Sequence, residues 1–187
     1  MKKRVLIPEE YFGSKIKISD FTHIRAYHAC RIEKLDSYML KGICPFNYQE
    51  ALDKITRQLM GWGVPDAEEI EAKFKFRWNE KEPYIHKVWL ELSKQVLQEE
   101  AAQYLKFGSE LLSAVAYDFN LQYKLQTFGI PYIVLCEVPL SRIPEWFLQS
   151  IPDAIIAGDG GFPIDRIYPD EIISFEKHNE FTKSLVC

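Results

Sequence analysis

IRAYHACRIEKLDSYMLKGI, residues 24–43, is the stretch from which the rest of the chain is read. Its first half is an apolar, strand-like lead carrying a lone histidine, His28, with Cys30 two residues on. Its second half has Ile32, Leu35, Met39 and Ile43 at helical spacing, with Gly42 where a glycine ends a helix. The pattern predicts a strand that ends at His28 and hands over to a short amphipathic helix. Either both elements hold the imidazole at the lip of a cleft, or His28 is an ordinary satisfied strand residue.

Working outward, Asn47 opens a second helix as its N-cap, with Glu50 three residues on as a variant of the capping box. Leu52, Ile55 and Leu59 form its inner face and Gly61 ends it. Pro65-Asp66 opens a third helix, with Glu69 in its first turn and Ile70 and Phe74 on one side. Ile85, Val88, Trp89, Leu92 and Val96 then repeat at helical spacing and predict an amphipathic helix from Tyr84. AAQYLKF (101–107) reads as a short strand, and GSELLSAVAYDF (108–119) as a helix capped by Ser109. IPYIVLCEV (130–138) is a buried strand bounded by prolines. DAIIAGDG (153–160) reads as another strand, stopped by glycines at 158, 160 and 161. FPIDRIYPDEIISFE (162–176) supplies one or two more before a polar tail.

No repeat, low-complexity segment or Gly/Ser linker divides the chain, and 187 residues with 47% apolar side chains suit one sizeable core. The expectation is one α+β domain over 1–187, with 45–98 as a helical insertion. Charge is uneven: 17 basic against 14 acidic residues in 1–98, and 6 against 13 in 99–187. That balance lacks the strong basic excess of a duplex-binding protein. The acidic half reads as a solvated surface, or as a docking face for a basic partner. The apolar run Ile130 to Cys136 is far too short to cross a bilayer, and no export segment follows the basic start MKKR. A cytoplasmic protein without a membrane partner is expected. Cys30, Cys44, Cys136 and Cys187 are far apart, have no zinc-ligand spacing, and read as inert thiols.

Familiar motifs are missing: no GxxxxGK[ST], GxGxxG after a strand, HExxH or GxSxG. GDGG at 158–161 has no helix signal after it and reads as a tight turn. Cys30 and His28 share a strand face, but a nucleophilic pair also needs an orienting group and an oxyanion site.

Three blocks in order say more. YHACRIEKLDSYMLKGI carries His28, QYLKFGSELLSAVAY carries Tyr104, Ser113 and Tyr117, and YIVLCEVPL leads to an acidic segment starting at Asp153. The series resembles the ADP-ribosyltransferase-like family, which includes the poly-ADP-ribose polymerases and several NAD-using bacterial toxins. The likeness covers about half the chain. It implies a split antiparallel sheet, NAD as substrate, and a glycosyltransferase reaction that moves ADP-ribose to a macromolecular acceptor, protein or nucleic acid. An intracellular toxin or defence effector with an inhibitory partner protein would fit such an activity.

By position, the resemblance gives His28 to the adenosine-side ribose, Tyr104 and Tyr117 to a sandwich around nicotinamide, and Ser113 to its carboxamide. The acid falls to Asp153, where the family carries Glu, with Glu137 as the substitute. Cys30 stands where the family has Ser or Thr. These two departures keep open a binding module without catalysis, and an RNA 2′-phosphotransferase on the same fold is a further alternative. Cleaving the nicotinamide–ribose bond passes through an oxocarbenium-like ion, which a carboxylate in a dry site stabilises. Arg25 and Arg31 flank the histidine and offer guanidinium groups to a pyrophosphate. Plainer readings stand beside these: core aromatics for the tyrosines, a turn for Asp153, and a salt bridge for Glu137.

Overall fold

A computed structural model of the chain describes residues 2–99 and 102–179. Among the described residues, six strands form one mostly antiparallel sheet: β1 (Val5–Leu6), β2 (His23–Ile32), β3 (Val88–Glu91), β4 (Ile130–Pro139), β5 (Gly161–Ile164) and β6 (Ile172–Lys177). The order is β5-β3-β2-β4-β6, with β1 beside β2 as the one parallel pair. The fold is α+β.

β2 and β4 pair along their full length, from His23↔Pro139 to Ile32↔Ile130. The opposite edge of β2 is shared. β1 covers it at His23 and Ile24, and β3 meets it at the single pair Tyr27↔Glu91 before diverging toward β5. Beyond that pair, residues 28–32 of β2 have no strand on this edge among the described residues. His28 is therefore inside β2 and not at its end. What ends beside it is the pairing with β3.

Helices fill both sides. Ile151 and Ile155 of α7 (Glu145–Ala157) pack on one sheet face with Val134, Val138 and Leu90. On the other, Leu97 of α4 (Lys94–Glu99) and Leu105 of α5 (Ala102–Phe107) cover Tyr27 and Ile133. A second core lies among α2 (Tyr48–Gly61), α3 (Ala67–Ile85) and α6 (Glu110–Tyr117), around Ile55, Leu59, Phe74 and Val115. Caps fix their starts: Asn47 Oδ1 accepts from the Gln49 and Glu50 amides, Asp66 Oδ1 from those of Glu68 and Glu69, and Ser109 Oγ from that of Leu112.

Four expectations are corrected. The helix expected from Tyr84 to Val96 is the end of α3 followed by β3. Val88, Leu90 and Leu92 are buried while Trp89 and Glu91 are not, which is the alternation of a strand. The segment 45–98 thus contributes a strand to the sheet and is not helical throughout. AAQYLKF contains α5, so Tyr104 stands on a helix. DAIIAGDG is the end of α7, whose left-handed cap at Gly158 stops it, so Asp153 is helical. The helix α1 (Leu35–Lys41) does end at Gly42, but none of its residues is buried and Leu40 is 80% exposed. Ile32 belongs to β2, and Ile43 pairs with Ile167. The polar tail beyond 179 and Cys187 lie outside the described residues.

Candidate functional site

The open edge of β2 forms one wall of a cavity of about 590 Å³. β3 and helices α2, α5 and α6 supply others, and the size is in the range of small-molecule sites. His28, Glu91, Tyr104, Gln58 and Lys87 are the polar residues on which its chemistry turns.

His28 Nδ1 lies 2.9 Å from the carbonyl oxygen of Trp89. A carbonyl only accepts, so Nδ1 carries the proton and donates it, and in the neutral ring Nε2 is left as an acceptor. Burial drives the imidazole pKa below its ordinary 6.5, against the smaller opposing pull of the Trp89 carbonyl. The bond also ties β3 to β2 where their ladder has stopped.

Glu91 follows from β3 diverging toward β5. It lies against Gly161, where a Cβ would stand 2.5 Å from the Leu90 carbonyl oxygen and 3.0 Å from Glu91 Oε2, so glycine lets β5 approach. Burial raises the Glu91 pKa, and the nearby charge of Asp159 raises it further. Tyr104 belongs to the same neighbourhood. Its phenol is raised by burial first, then by the charge of Glu110, with Glu91 adding to the shift. Lys81 and Lys54 also line the cavity, held by Glu110 at 2.6 Å and Glu33 at 2.8 Å. Lys87 makes no ion pair among the described residues.

Of the residues singled out in the sequence, His28, Cys30, Arg31 and Tyr104 line this cavity. Four others do not line the cavity. Ser113 Oγ accepts from Gln122 Nε2 at 2.6 Å. Tyr117, at the end of α6, is 64% exposed. Asp153 is exposed on α7. Glu137 is gripped by Arg25 at 2.7 Å and Lys3 at 2.9 Å. Burial pushes its pKa up, but these bonds outweigh that and leave the carboxyl below its usual value. The salt-bridge reading of Glu137 is therefore the observed one.

Arg31 is not available to a pyrophosphate. Its guanidinium donates to the carbonyls of Leu105, Lys106, Gln126, Phe128 and Gly129, which anchors α5 and the 126–129 turn to β2. Burial pushes the Cys30 thiol up to about 12, so it is inert at neutral pH. Cys30, Cys44 and Cys136 are free thiols. Among the described residues no cluster of His, Cys, Asp and Glu could hold a metal ion, and no helix is long and apolar enough to cross a membrane.

Glu91 and Gln58 were missed in the sequence. Glu91 was hidden by the helical reading of 84–96. Gln58 carried a usable signal, because it stands three residues after Ile55 on the inner face of α2. No family model matches this chain, and neither a curated protein nor a solved structure matches it.

Proposed function

We propose that the chain is an NAD-dependent ADP-ribosyltransferase whose reaction takes place in the cavity beside β2. One observation carries the reading: His28, fixed through Nδ1 by the Trp89 carbonyl, lines the same cavity as Tyr104 and Glu91. The resemblance of the His28 and Tyr104 segments to the ADP-ribosyltransferase-like family supports the choice of NAD. His28 Nε2 accepts a hydrogen bond from a ribose hydroxyl. Tyr104 offers a ring for a flat base to pack on. Lys87 adds a positive charge toward the phosphates.

In the reaction the bond from ribose C1′ to the nicotinamide nitrogen breaks, and nicotinamide leaves with the electron pair. A lone pair on the acceptor forms the new bond to C1′, and the acceptor's proton passes to solvent or to a base. Positive charge builds on the ribose between these events, and a carboxylate in a poorly hydrated site lowers its energy. Glu91 takes this part, in place of Asp153 and Glu137. The acceptor is a macromolecule, protein or nucleic acid. A binding module without catalysis is the second reading, favoured because Glu137 and Asp153 do not line the cavity.

Calorimetric titration with NAD tests the proposal. The wild-type protein is expected to bind, and His28→Ala to bind about tenfold or more weakly, the usual cost of a lost hydrogen bond in a dry site. Absence of NAD binding by the wild-type protein contradicts the proposal.

A further inference from the structure

Gln58 is 8% exposed, lines the cavity, and has no hydrogen-bond partner at either Nε2 or Oε1. A buried primary amide with both ends unsatisfied costs stability, and native cores rarely tolerate one. Its surroundings are apolar: Phe46, Leu112 and Leu125 line the cavity with it. Lys54, one helical turn earlier on α2, also faces the cavity. The fold could have placed an apolar residue here, as it does at Ile55 and Leu59.

We infer that the Gln58 amide recognises a flat group bearing an N–H donor next to an acceptor, seated between the apolar side chains of the cavity's helical end. The N6 and N7 edge of adenine has this pattern and is met by a glutamine amide through two parallel hydrogen bonds. The carboxamide of nicotinamide has it too. The inference deepens the NAD reading, on which it rests for the identity of the ligand. It adds α2, whose sequence pattern shows only a packing role, to the recognition of the substrate.

The test pairs binding with stability. Gln58→Met has a similar length and no polar amide. Its ligand-free melting temperature is expected to equal or exceed that of the wild-type protein, because two unsatisfied buried atoms are removed. Its affinity for AMP or for nicotinamide is expected to fall about tenfold or more. Weaker AMP binding, with the preference over IMP lost, assigns the amide to adenine. Weaker nicotinamide binding assigns it to the carboxamide. Gln58→Glu, which replaces the N–H donor with an acceptor, carries the same binding expectation. Unchanged affinities, a lower melting temperature in Gln58→Met, or no binding of either ligand by the wild-type protein overturns the inference. Gln58-dependent AMP binding by a protein that releases no nicotinamide from NAD removes the transferase reading alone.

Discussion

His28 has a fixed tautomer because its Nδ1 meets the Trp89 carbonyl, and burial disfavours its charged ring. Its folded pKa lies below the ordinary 6.5, so the unfolded chain takes up this proton first as pH falls. Above 6.5 the site is neutral in both states and its full contribution to stability is present. Below that value stability is lost until the folded pKa is passed. Thermal melts between pH 7.5 and 5 should show this decline, with a smaller slope in His28→Gln. An identical slope in the variant contradicts the assignment. Arg31 is the structural counterpart to His28 on the same strand. Replacing it by Met strips its charged donors from five backbone carbonyls, a loss of about 2 kcal/mol or more. Urea unfolding should show a lower midpoint with an unchanged slope.

The elements that could be read from the sequence are those whose ends carry their own chemistry. Asn47, Asp66 and Ser109 each cap a helix where their side chains predict one, and β4 is a β-branched run framed by prolines. β3 was misread because Ile85, Val88, Trp89 and Leu92 fit helical spacing as well as Val88, Leu90 and Leu92 fit alternation. The choice depends on β5 lying alongside, which short-range pattern does not contain. The apolar run after Asp153, stopped by glycines at 158, 160 and 161, reads as a strand, yet Ile151 and Ile155 place α7 on the sheet. Gly42 was read correctly for only half of its reason. It has φ 73°, and a Cβ there would stand 2.0 Å from the carbonyl oxygen of Ile167, the partner of Ile43. Gly42→Ala should therefore cost more than the roughly 1 kcal/mol of left-handed strain alone. Chemical denaturation measures it, and a loss below about 0.5 kcal/mol contradicts this packing.

At the scale of the molecule, the single ladder pair between β2 and β3 leaves an edge open, and the helices of the second core close over it. His28 and Tyr104 were visible in the sequence because each sits in a recognisable local block. Glu91 was hidden by the helical spacing around it, and Gln58 showed only as a polar residue on the inner face of α2; their shared cavity arises when β3 and α2 are brought together from opposite sides of residues 61–87. Under the proposed function, NAD is cleaved in this cavity with Glu91 as the carboxylate. Nicotinamide release from NAD by wild type, Glu91→Gln, Asp153→Asn and Glu137→Gln tests it most directly. The wild-type protein is expected to release nicotinamide, Glu91→Gln to fall by about a hundredfold or more, the scale of one lost electrostatic contact to a transition state, and Asp153→Asn to remain near normal. Glu137→Gln, which loosens the grip of Arg25 and Lys3, should act through stability and leave the rate of the folded protein little changed. Release that survives in Glu91→Gln and vanishes in Asp153→Asn would rule out Glu91 as the carboxylate.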